Sequence, residues 1–324
     1  MVTSSIICSA PGSAMIMGEH AVLHGYPALV AALQARLWVT LTPLVSNELH
    51  IQSALGEWRA SLADLPHNPV DGHPLRFVFA AVQHFAALGQ LPCGVQINID
   101  SKIDATMGLG SSAALSVALV ASLRRWLQMD HSYAVILDDA VSLIRRVQGR
   151  GSGADAAASC YGGLVSYDAQ SRQAQTLLTD PGKDLPALRL IYTGYKTPTP
   201  EVIALVAKWA QAKPQIYAQI YQAMGEQVAV AEAAIVRADW LGLAAAINAY
   251  QQQMEALGVC DKGTQKAIDA AWRQLPSEPK QPVAVKISGS GLGDCILGLG
   301  VPEVVGWPHR QFAMQISPQG LQWQ

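Results

Sequence analysis

Residues 107–126 read MGLGSSAALSVALVASLRRW, and this stretch decides the fold. Two glycines and two serines precede a run of small and branched apolar residues that ends at a pair of arginines. Apolar residues on nearly every side of a helix indicate burial all round, so the pattern predicts a central helix over Ser111–Leu127. The glycines and serines then lie at its N-terminal end, where main-chain N–H groups lack partners and the helix dipole is positive.

The composition of this loop suits a phosphate group. Glycine lets the main chain approach an anion closely, because no Cβ atom is in the way. Ser111 and Ser112 can cap the helix, and their hydroxyls can also contact phosphate oxygens or a metal ion. An ordinary helix cap explains the loop equally well when the loop is considered alone.

A dinucleotide-binding fingerprint is a third interpretation of the loop. Gly108, Gly110 and Ala113 match G-x-G-x-x-A, and Asp130 follows Gly110 by twenty residues. That motif needs its first glycine directly after a strand, whereas residues 101–107 separate Gly108 from the preceding predicted strand. A βαβ unit is hard to trace here, and the sequence lacks the Walker pattern GxxxxGK[ST]. An oxidoreductase of the Rossmann class is therefore disfavoured.

Two further segments share the chemistry of this loop. Residues 149–155 read GRGSGAD, and residues 286–294 read KISGSGLGD. Each alone reads as a tight turn or, for Asp155, as a helix cap. The presence of three loops rich in glycine and serine in one chain favours a binding site in which their main-chain amides converge on an anionic ligand.

Composition limits the class of protein. The chain has 324 residues, of which 50% are hydrophobic and 14% charged, so it can bury a large core. A net charge of −2 gives no indication of a nucleic-acid or membrane-surface partner. The five cysteines form no C-x-x-C pair, which predicts buried free thiols in a reducing compartment. The sequence shows neither a secretory signal nor an apolar run of about 18 residues, so we expect a cytoplasmic location.

The order of the predicted elements indicates the fold class. Strands and helices mix without a strict βαβ order, which predicts an α+β fold in two lobes. Residues 180–186, DPGKDLP, combine two prolines, a glycine and three charges, as is typical of a linker. The predicted N-terminal lobe is therefore 1–185 and the predicted C-terminal lobe is 186–324.

Two details of the element order can be tested directly. Ala10-Pro11-Gly12 reads as a turn between two short strands, which are Ile6–Cys8 and Ala14–Met17. Glu201 to about Leu257 reads as helix that is broken near Pro214 and Asp239. The apolar residues of this helical run fit either a core or a homodimer face, and their periodicity does not separate the two.

The motifs occur in the order of a known family. Ala10-Pro11-Gly12 and GEHAVLHG (18–25) resemble the first motif of the GHMP kinases, in the form typical of mevalonate kinases. MGLGSSAALSVAL (107–119) is similar to the ATP-phosphate motif of that family. GSGAD (151–155) resembles its catalytic-aspartate segment, and KISGSGLGDC (286–295) its third motif. The resemblance implies an α+β fold in which ATP and substrate lie in a cleft between two lobes, with ATP bound by the N-terminal lobe.

The resemblance also assigns roles to individual residues. Asp155 would accept the proton of the substrate hydroxyl, and Ser112 would help to ligate Mg²⁺. The residues expected to bind the phosphates of ATP are Gly108, Leu109, Gly110, Ser111, Ser112 and Ala113. The residues expected to bind or shape the substrate site are Glu19, His20, Lys196, Thr197, Gly289, Ser290 and Gly291.

Three departures from the family pattern concern charge. Mevalonate kinases carry a lysine where this chain has Ser13, and that lysine is thought to polarise the hydroxyl. A second acid, expected as a Mg²⁺ ligand, is replaced by Ile144, and Asp104 lies near the place of the usual proline. We hypothesise that Arg150 or Lys196 supplies the missing positive charge at the catalytic site, although each also reads as a solvated surface charge.

The resemblance implies ATP-dependent phosphorylation of the hydroxyl of a small carboxylated alcohol. GEHAVLHG favours mevalonate as that alcohol, whereas VQG (147–149) and GDC (293–295) are typical of phosphomevalonate kinases. Another small alcohol or sugar is a third alternative. A catalytically inactive relative that binds a nucleotide or metabolite is the alternative from another class, and Ser13 and Ile144 support it. The expected ligands are ATP, Mg²⁺ and the small-molecule substrate.

Overall fold

The computed structural model describes residues 4–65, 72–89, 91–104, 107–180, 182, 185–276 and 281–324. Within them the chain forms two β-sheets with helices packed on each sheet, which confirms the predicted α+β class. The strands are β1 (Ile6–Met17), β2 (Ala28–Leu44), β3 (Glu48–Ser53), β4 (Gly56–Ser61), β5 (Gly94–Ser101), β6 (Leu164–Asp168), β7 (Gln173–Leu178), β8 (Leu188–Lys196), β9 (Ala284–Ser288), β10 (Gly293–Leu299), β11 (Gln311–Met314) and β12 (Gln322–Trp323).

The two sheets differ in size and order. The first has the order β12-β1-β2-β5-β3-β4, with β6 beside β2 and β7 beside β6, and its β3–β5 pair is parallel. The second has the order β11-β8-β10-β9, and all of its pairs are antiparallel. The helices are α1 (Arg76–Ala87), α2 (Ser111–Trp126), α3 (Tyr133–Gln148), α4 (Ala154–Tyr161), α5 (Thr199–Ala212), α6 (Pro214–Val236), α7 (Trp240–Ala256) and α8 (Lys262–Trp272).

The helix α2 is central, as its apolar sequence predicts. From Ala113 to Leu123 only Leu115 is not fully buried. α2 packs against β1 and β2 and also touches α1, α3 and α4. The burial on all sides explains why the sequence has no polar stripe there. α7 and α8 pack on the second sheet.

The predicted turn at Ala10-Pro11-Gly12 is wrong. β1 runs unbroken from Ile6 to Met17, and its pairing with β2 shifts register between Pro11 and Ser13. Proline lacks an N–H donor and is tolerated in a strand where a bulge interrupts the ladder. A Cβ atom on Gly12 would lie 2.7 Å from the carbonyl oxygen of Leu109, so the strand passes directly beneath the glycine-rich loop.

The long helical segment is confirmed, with both of its breaks. Pro214 begins α6, and the side chain of Asp239 accepts a hydrogen bond from the amide of Gly242 at the start of α7. A proline is tolerated in the first turn of a helix but not in its interior, and an aspartate cap satisfies an unpaired amide. Each break therefore follows from one residue.

The path between the sheets bears on the predicted lobes. The chain leaves the first sheet after β7 and enters the second at β8, across the predicted linker 180–186. Residues 181, 183 and 184 of that linker lie outside the described residues. β12 returns to the first sheet and pairs with β1. The division into lobes at residue 185 stays a prediction.

The cysteines are free thiols, as predicted. Cys8, Cys160 and Cys295 are buried, and Cys93 and Cys260 are partly exposed. Burial is the main cause that raises the pKa of Cys8 to about 12, which makes this thiol inert. No helix in the described part of the chain is long and apolar enough to cross a membrane.

Candidate active site

The glycine-rich loop lies at the N-terminal end of α2, where the sequence places it. Gly108 and Gly110 have φ angles of +66° and +68°, and Gly110 is the N-cap of the helix. Side chains with a Cβ atom are strained in this left-handed region, whereas glycine adopts it freely. The amide of Ser13 donates to the carbonyl of Leu109 at 3.1 Å, which fixes the loop on β1.

The first turn of α2 carries the other predicted phosphate-binding residues. Ser111 and Ser112 are partly exposed, and Ala113 is buried. The hydroxyl of Ser116 donates to the carbonyl of Ser112 at 2.8 Å, whereas the Ser111 and Ser112 hydroxyls have no partner among the described residues. The turn can therefore offer hydroxyl groups as well as unpaired main-chain amides to an anion.

Ser13 joins this loop to Asp155. Its buried hydroxyl donates to Asp155 Oδ1 at 2.8 Å. A Cβ atom at Gly110 would overlap the Ser13 hydroxyl, so this close approach requires glycine at position 110. The predicted proton acceptor and the predicted phosphate loop are thus brought together through one side chain.

Asp155 is the second residue of α4 and is partly buried. Burial raises the pKa of its carboxyl group, and the hydrogen bond from Ser13 opposes that rise. Asp155 Oδ2 accepts no hydrogen bond from the described residues, and it is not enclosed. One carboxylate oxygen is therefore held in place while the other can accept a proton from a bound hydroxyl group.

A buried ion pair connects the end of β1 to the second sheet. Lys286 Nζ donates to Glu19 Oε1 at 2.5 Å, and the amide of Gly289 donates to the same oxygen at 3.3 Å. The Tyr250 hydroxyl donates to the carbonyl of Glu19 at 2.9 Å. Burial raises the pKa of Glu19 and lowers the pKa of Lys286, while their pairing opposes both changes. Glu19 Oε2 is buried without a partner among the described residues.

The other predicted substrate residues cluster around the loop between β9 and β10. His20 Nε2 lies 2.8 Å from the carbonyl oxygen of Ser290, and burial lowers the pKa of this histidine. The Thr197 hydroxyl donates to the carbonyl of Leu292 at 2.7 Å. A Cβ atom on Gly291 would lie 2.6 Å from a neighbouring carbonyl oxygen. The structure thus brings together the segment after β1, the end of β8 and the third glycine-rich loop.

An acid that sequence analysis did not single out lies at the phosphate loop. Lys196 Nζ forms an ion pair with Asp294 Oδ2 at 2.6 Å. A Cβ atom on Gly108 would lie 3.4 Å from that carboxylate oxygen and 3.5 Å from the lysine nitrogen. The pair belongs to the second sheet and faces a loop of the first. The sequence signal that could have found Asp294 is its position as a charged residue directly after the glycine-rich segment 289–293.

The structure leaves other predicted residues apart. Arg150 is exposed, and its guanidinium makes no hydrogen bond or ion pair within the described ranges, so its role stays a prediction. Ile144 is buried, and a Cβ atom on Gly151 would lie 3.0 Å from its Cγ2 atom. Asp104, which precedes the glycine-rich loop, pairs with Arg310 at 2.5 Å.

Comparison with known proteins shows the family of this chain. The family model described as "GHMP kinases N terminal domain" matches residues 76–163, which include the glycine-rich loop and Asp155. A mevalonate kinase from Archaeoglobus fulgidus is 31% identical to this chain over 98% of the chain and 99% of its own length. The chain belongs to the GHMP kinase family. Members of this family use ATP.

Two solved structures have the fold of this GHMP kinase. A Lin0012 protein from Listeria innocua matches with a TM-score of 0.81 at 21% identity, covering 99% of both chains. The mevalonate kinase from Methanococcus jannaschii matches with a TM-score of 0.76 at 17% identity, covering 98% of this chain and 99% of its own. At these identities the likeness shows the fold alone.

Proposed function

We propose that this GHMP kinase transfers a phosphoryl group from ATP to the hydroxyl group of mevalonate, giving 5-phosphomevalonate. The observation that carries the proposal is the hydrogen bond from Ser13 to Asp155 beside Gly110, which fixes a carboxylate next to the glycine-rich loop. The relatives named mevalonate kinase support mevalonate as the acceptor.

Asp155 is the general base in this proposal. Its Oδ2 atom accepts the hydroxyl proton while the hydroxyl oxygen forms a bond to the γ-phosphorus. The bond from that phosphorus to the bridging oxygen breaks, and ADP leaves with the electron pair. Burial raises the pKa of Asp155, so its affinity for the proton is higher than that of an exposed aspartate. Positioning and charge neutralisation supply the rest of the catalysis.

The residues around the loop fit a magnesium ion that is bound largely by the nucleotide. Mg²⁺ is usually bound by one or two carboxylates together with phosphate oxygens and water. The Ser112 hydroxyl, which has no partner among the described residues, is an oxygen donor at the loop, whereas the buried Ile144 offers none. When bound, Mg²⁺ would neutralise phosphate charge, and Ser112 would help to hold it.

The substrate side of the proposed site lies on the second sheet. Thr197 and the loop that contains Gly289, Ser290 and Gly291 would orient the acceptor, with the loop held by Glu19 and His20. Buried contacts to Glu19 and His20 fix this loop before substrate arrives. A fixed loop reduces the entropy that is lost when the substrate is oriented.

A kinase screen with Mg-ATP tests the proposal. Mevalonate, 5-phosphomevalonate, homoserine and galactose are offered as acceptors, with Asp155→Asn as the inactive control. Turnover on mevalonate that Asp155→Asn abolishes supports the proposal. Turnover on 5-phosphomevalonate alone would favour the second candidate, which residues 293–295 support. ATP binding without turnover on any acceptor would identify the inactive binding relative.

We also propose a cytoplasmic location and a homodimer. The free thiols support a reducing compartment. Ile216 and Val230 of α6 and Leu241 of α7 are exposed apolar side chains that favour a contact between copies. Light scattering of the purified protein measures the oligomeric state.

A further inference from the structure

We infer that Asp294 is a positioning residue of the kinase site, because it holds the Lys196 ammonium group against the glycine-rich loop to neutralise the nucleotide phosphates. The inference rests on the proposed function, since it specifies the phosphate side of the same site. The sequence predicts one of two roles for Lys196, which are substrate binding and supply of the missing positive charge. The second role is favoured because the ammonium nitrogen of Lys196 lies 3.5 Å from the place that a Cβ atom on Gly108 would occupy, at the phosphate loop.

A β-bulge in the backbone at Asp294 directs its side chain toward Lys196. The pairing of β10 with β8 shifts register between Gly293 and Cys295, so Asp294 lies at a bulge. Its φ angle is +65°, a conformation that aspartate adopts more readily than most residues but still uncommonly. Bulges of this kind occur next to active sites, where they redirect a side chain. The redirected carboxylate meets Lys196 at 2.6 Å.

Hydrogen bonds hold the bulge on both sides. The Thr193 hydroxyl donates to the carbonyl of Asp294 at 2.9 Å, and the amide of Gly293 donates to the Thr264 hydroxyl at 3.1 Å. The Tyr195 hydroxyl in turn donates to Asp261, the cap of α8. An adventitious surface ion pair would not need such support. The position of the carboxylate is therefore fixed by the fold.

The negative charge of the ATP phosphates requires a cation near the glycine-rich loop. Ser13 stands where the family has a lysine. Its hydroxyl group contacts Asp155 and lies beneath Gly110, so this position supplies no positive charge. Lys196 is 37% exposed and borders the loop, so its ammonium group can reach a bound phosphate without crossing a buried layer. Asp294 Oδ1 is buried and has no partner within the described residues.

The pair contributes little to stability, and this separates a functional role from a structural one. Partly exposed ion pairs stabilise proteins weakly. Asp294→Asn leaves only the partly exposed Lys196 without its partner and should therefore keep the melting temperature within about 3 °C of wild type, whereas Lys196→Met leaves the largely buried Asp294 carboxylate unpaired and should lower it more. A large change in catalysis would then have a cause other than unfolding.

A double-mutant cycle of Lys196→Met and Asp294→Asn tests the inference. Nucleotide affinity is measured by calorimetry with a non-hydrolysable ATP analogue and Mg²⁺. The turnover number kcat is measured with the acceptor that the wild type phosphorylates. We expect Lys196→Met to weaken nucleotide binding by about ten- to a hundredfold, the effect of a lost charge-assisted hydrogen bond. We expect Asp294→Asn to lower kcat by about tenfold and to change the nucleotide Kd by less than about threefold, because the cation stays but is misplaced.

The cycle and its controls decide the outcome. In the Lys196→Met background, Asp294→Asn should have no further effect on kcat, because the two residues act as a unit. Lys196→Arg should recover part of the affinity. Lys208→Met, which removes an exposed lysine from α5, should match the wild type.

Two results would overturn the inference. Equal losses from Asp294→Asn with and without Lys196 would show that Asp294 does not act through the lysine. A higher Mg²⁺ concentration for half-maximal rate in Asp294→Asn would make it a metal ligand instead. If the wild type phosphorylates an alcohol other than mevalonate, the proposal of mevalonate as acceptor is wrong. The double-mutant cycle, measured with that other alcohol, still tests the role of Asp294. If it phosphorylates none, nucleotide affinity decides: a Kd of Lys196→Met within about threefold of wild type overturns the inference, because the ammonium group then does not neutralise the phosphates.

Discussion

Ser13→Ala is the sharpest perturbation of the proposed mechanism. The substitution removes the hydrogen bond that Ser13 donates to Asp155 Oδ1 at 2.8 Å and leaves the fold of β1 with a residue of similar size. That bond favours the ionised carboxylate and opposes the rise in pKa that burial causes. The variant should therefore hold the proton of Asp155 more tightly than the wild type.

The size of the effect follows from the strength of that bond. A hydrogen bond to a charged group contributes about 1.5–3 kcal/mol, and each 1.4 kcal/mol is about tenfold in an equilibrium constant. Because a general base must be ionised, activity is lost as pH falls through the raised pKa of Asp155. Below that pKa, Ser13→Ala should lose about ten- to a hundredfold in kcat/KM, and the loss should shrink as pH rises.

The assay is a pH–rate profile of kcat/KM for the acceptor, measured for wild type, Ser13→Ala and Ser159→Ala. Ser159 is a matched control, because its buried hydroxyl also joins α4 to β1, donating to the carbonyl of Pro11 at 2.8 Å. Its removal should change stability without moving the acid limb. A loss in Ser13→Ala that is the same at every pH would refute the assignment, since it would show that the serine does not control the ionisation of Asp155.

Three other substitutions test the site and its support. Asp155→Asn should lower kcat by about 10²–10⁴-fold. It should also raise the melting temperature, more at pH 8 than at pH 5, because a carboxyl with a raised pKa stabilises the fold only while it is protonated. Gly110→Ala should abolish ATP binding, whereas Gly149→Ala, also at positive φ but in open space, should only lose stability in thermal scans. Lys286→Met should destabilise the protein by about 3–5 kcal/mol in urea titrations, since it leaves Glu19 buried and unpaired. That deficit should shrink at low pH.

The sequence predicts most of what is local in this structure. The helix α2 and the helix breaks at Pro214 and Asp239 follow from residue type and spacing alone, whereas the N-cap of α2 is Gly110 and not one of the serines that were expected to cap it. Each depends on neighbours within a few residues, through burial pattern, proline geometry or capping.

What the sequence did not predict depends on contacts between distant segments. β2 begins at Ala28, where six successive residues are buried, so the alternation that marks a half-exposed strand is absent. Pro11 lies in a strand because a bulge accepts it, and a turn was predicted instead. The position of Asp294 depends on the register of β8 against β10, which residue spacing does not specify.

The departures from the family pattern are connected through packing. Gly110 has no Cβ atom, and the Ser13 hydroxyl occupies the space where one would lie. The Ser13 amide also donates to the carbonyl of Leu109, which holds the loop on β1. A serine at this position lets the loop lie directly on β1, and it leaves the positive charge to come from another element. Lys196 reaches the same loop from the second sheet, so the charge near the phosphates depends on how the two sheets are placed.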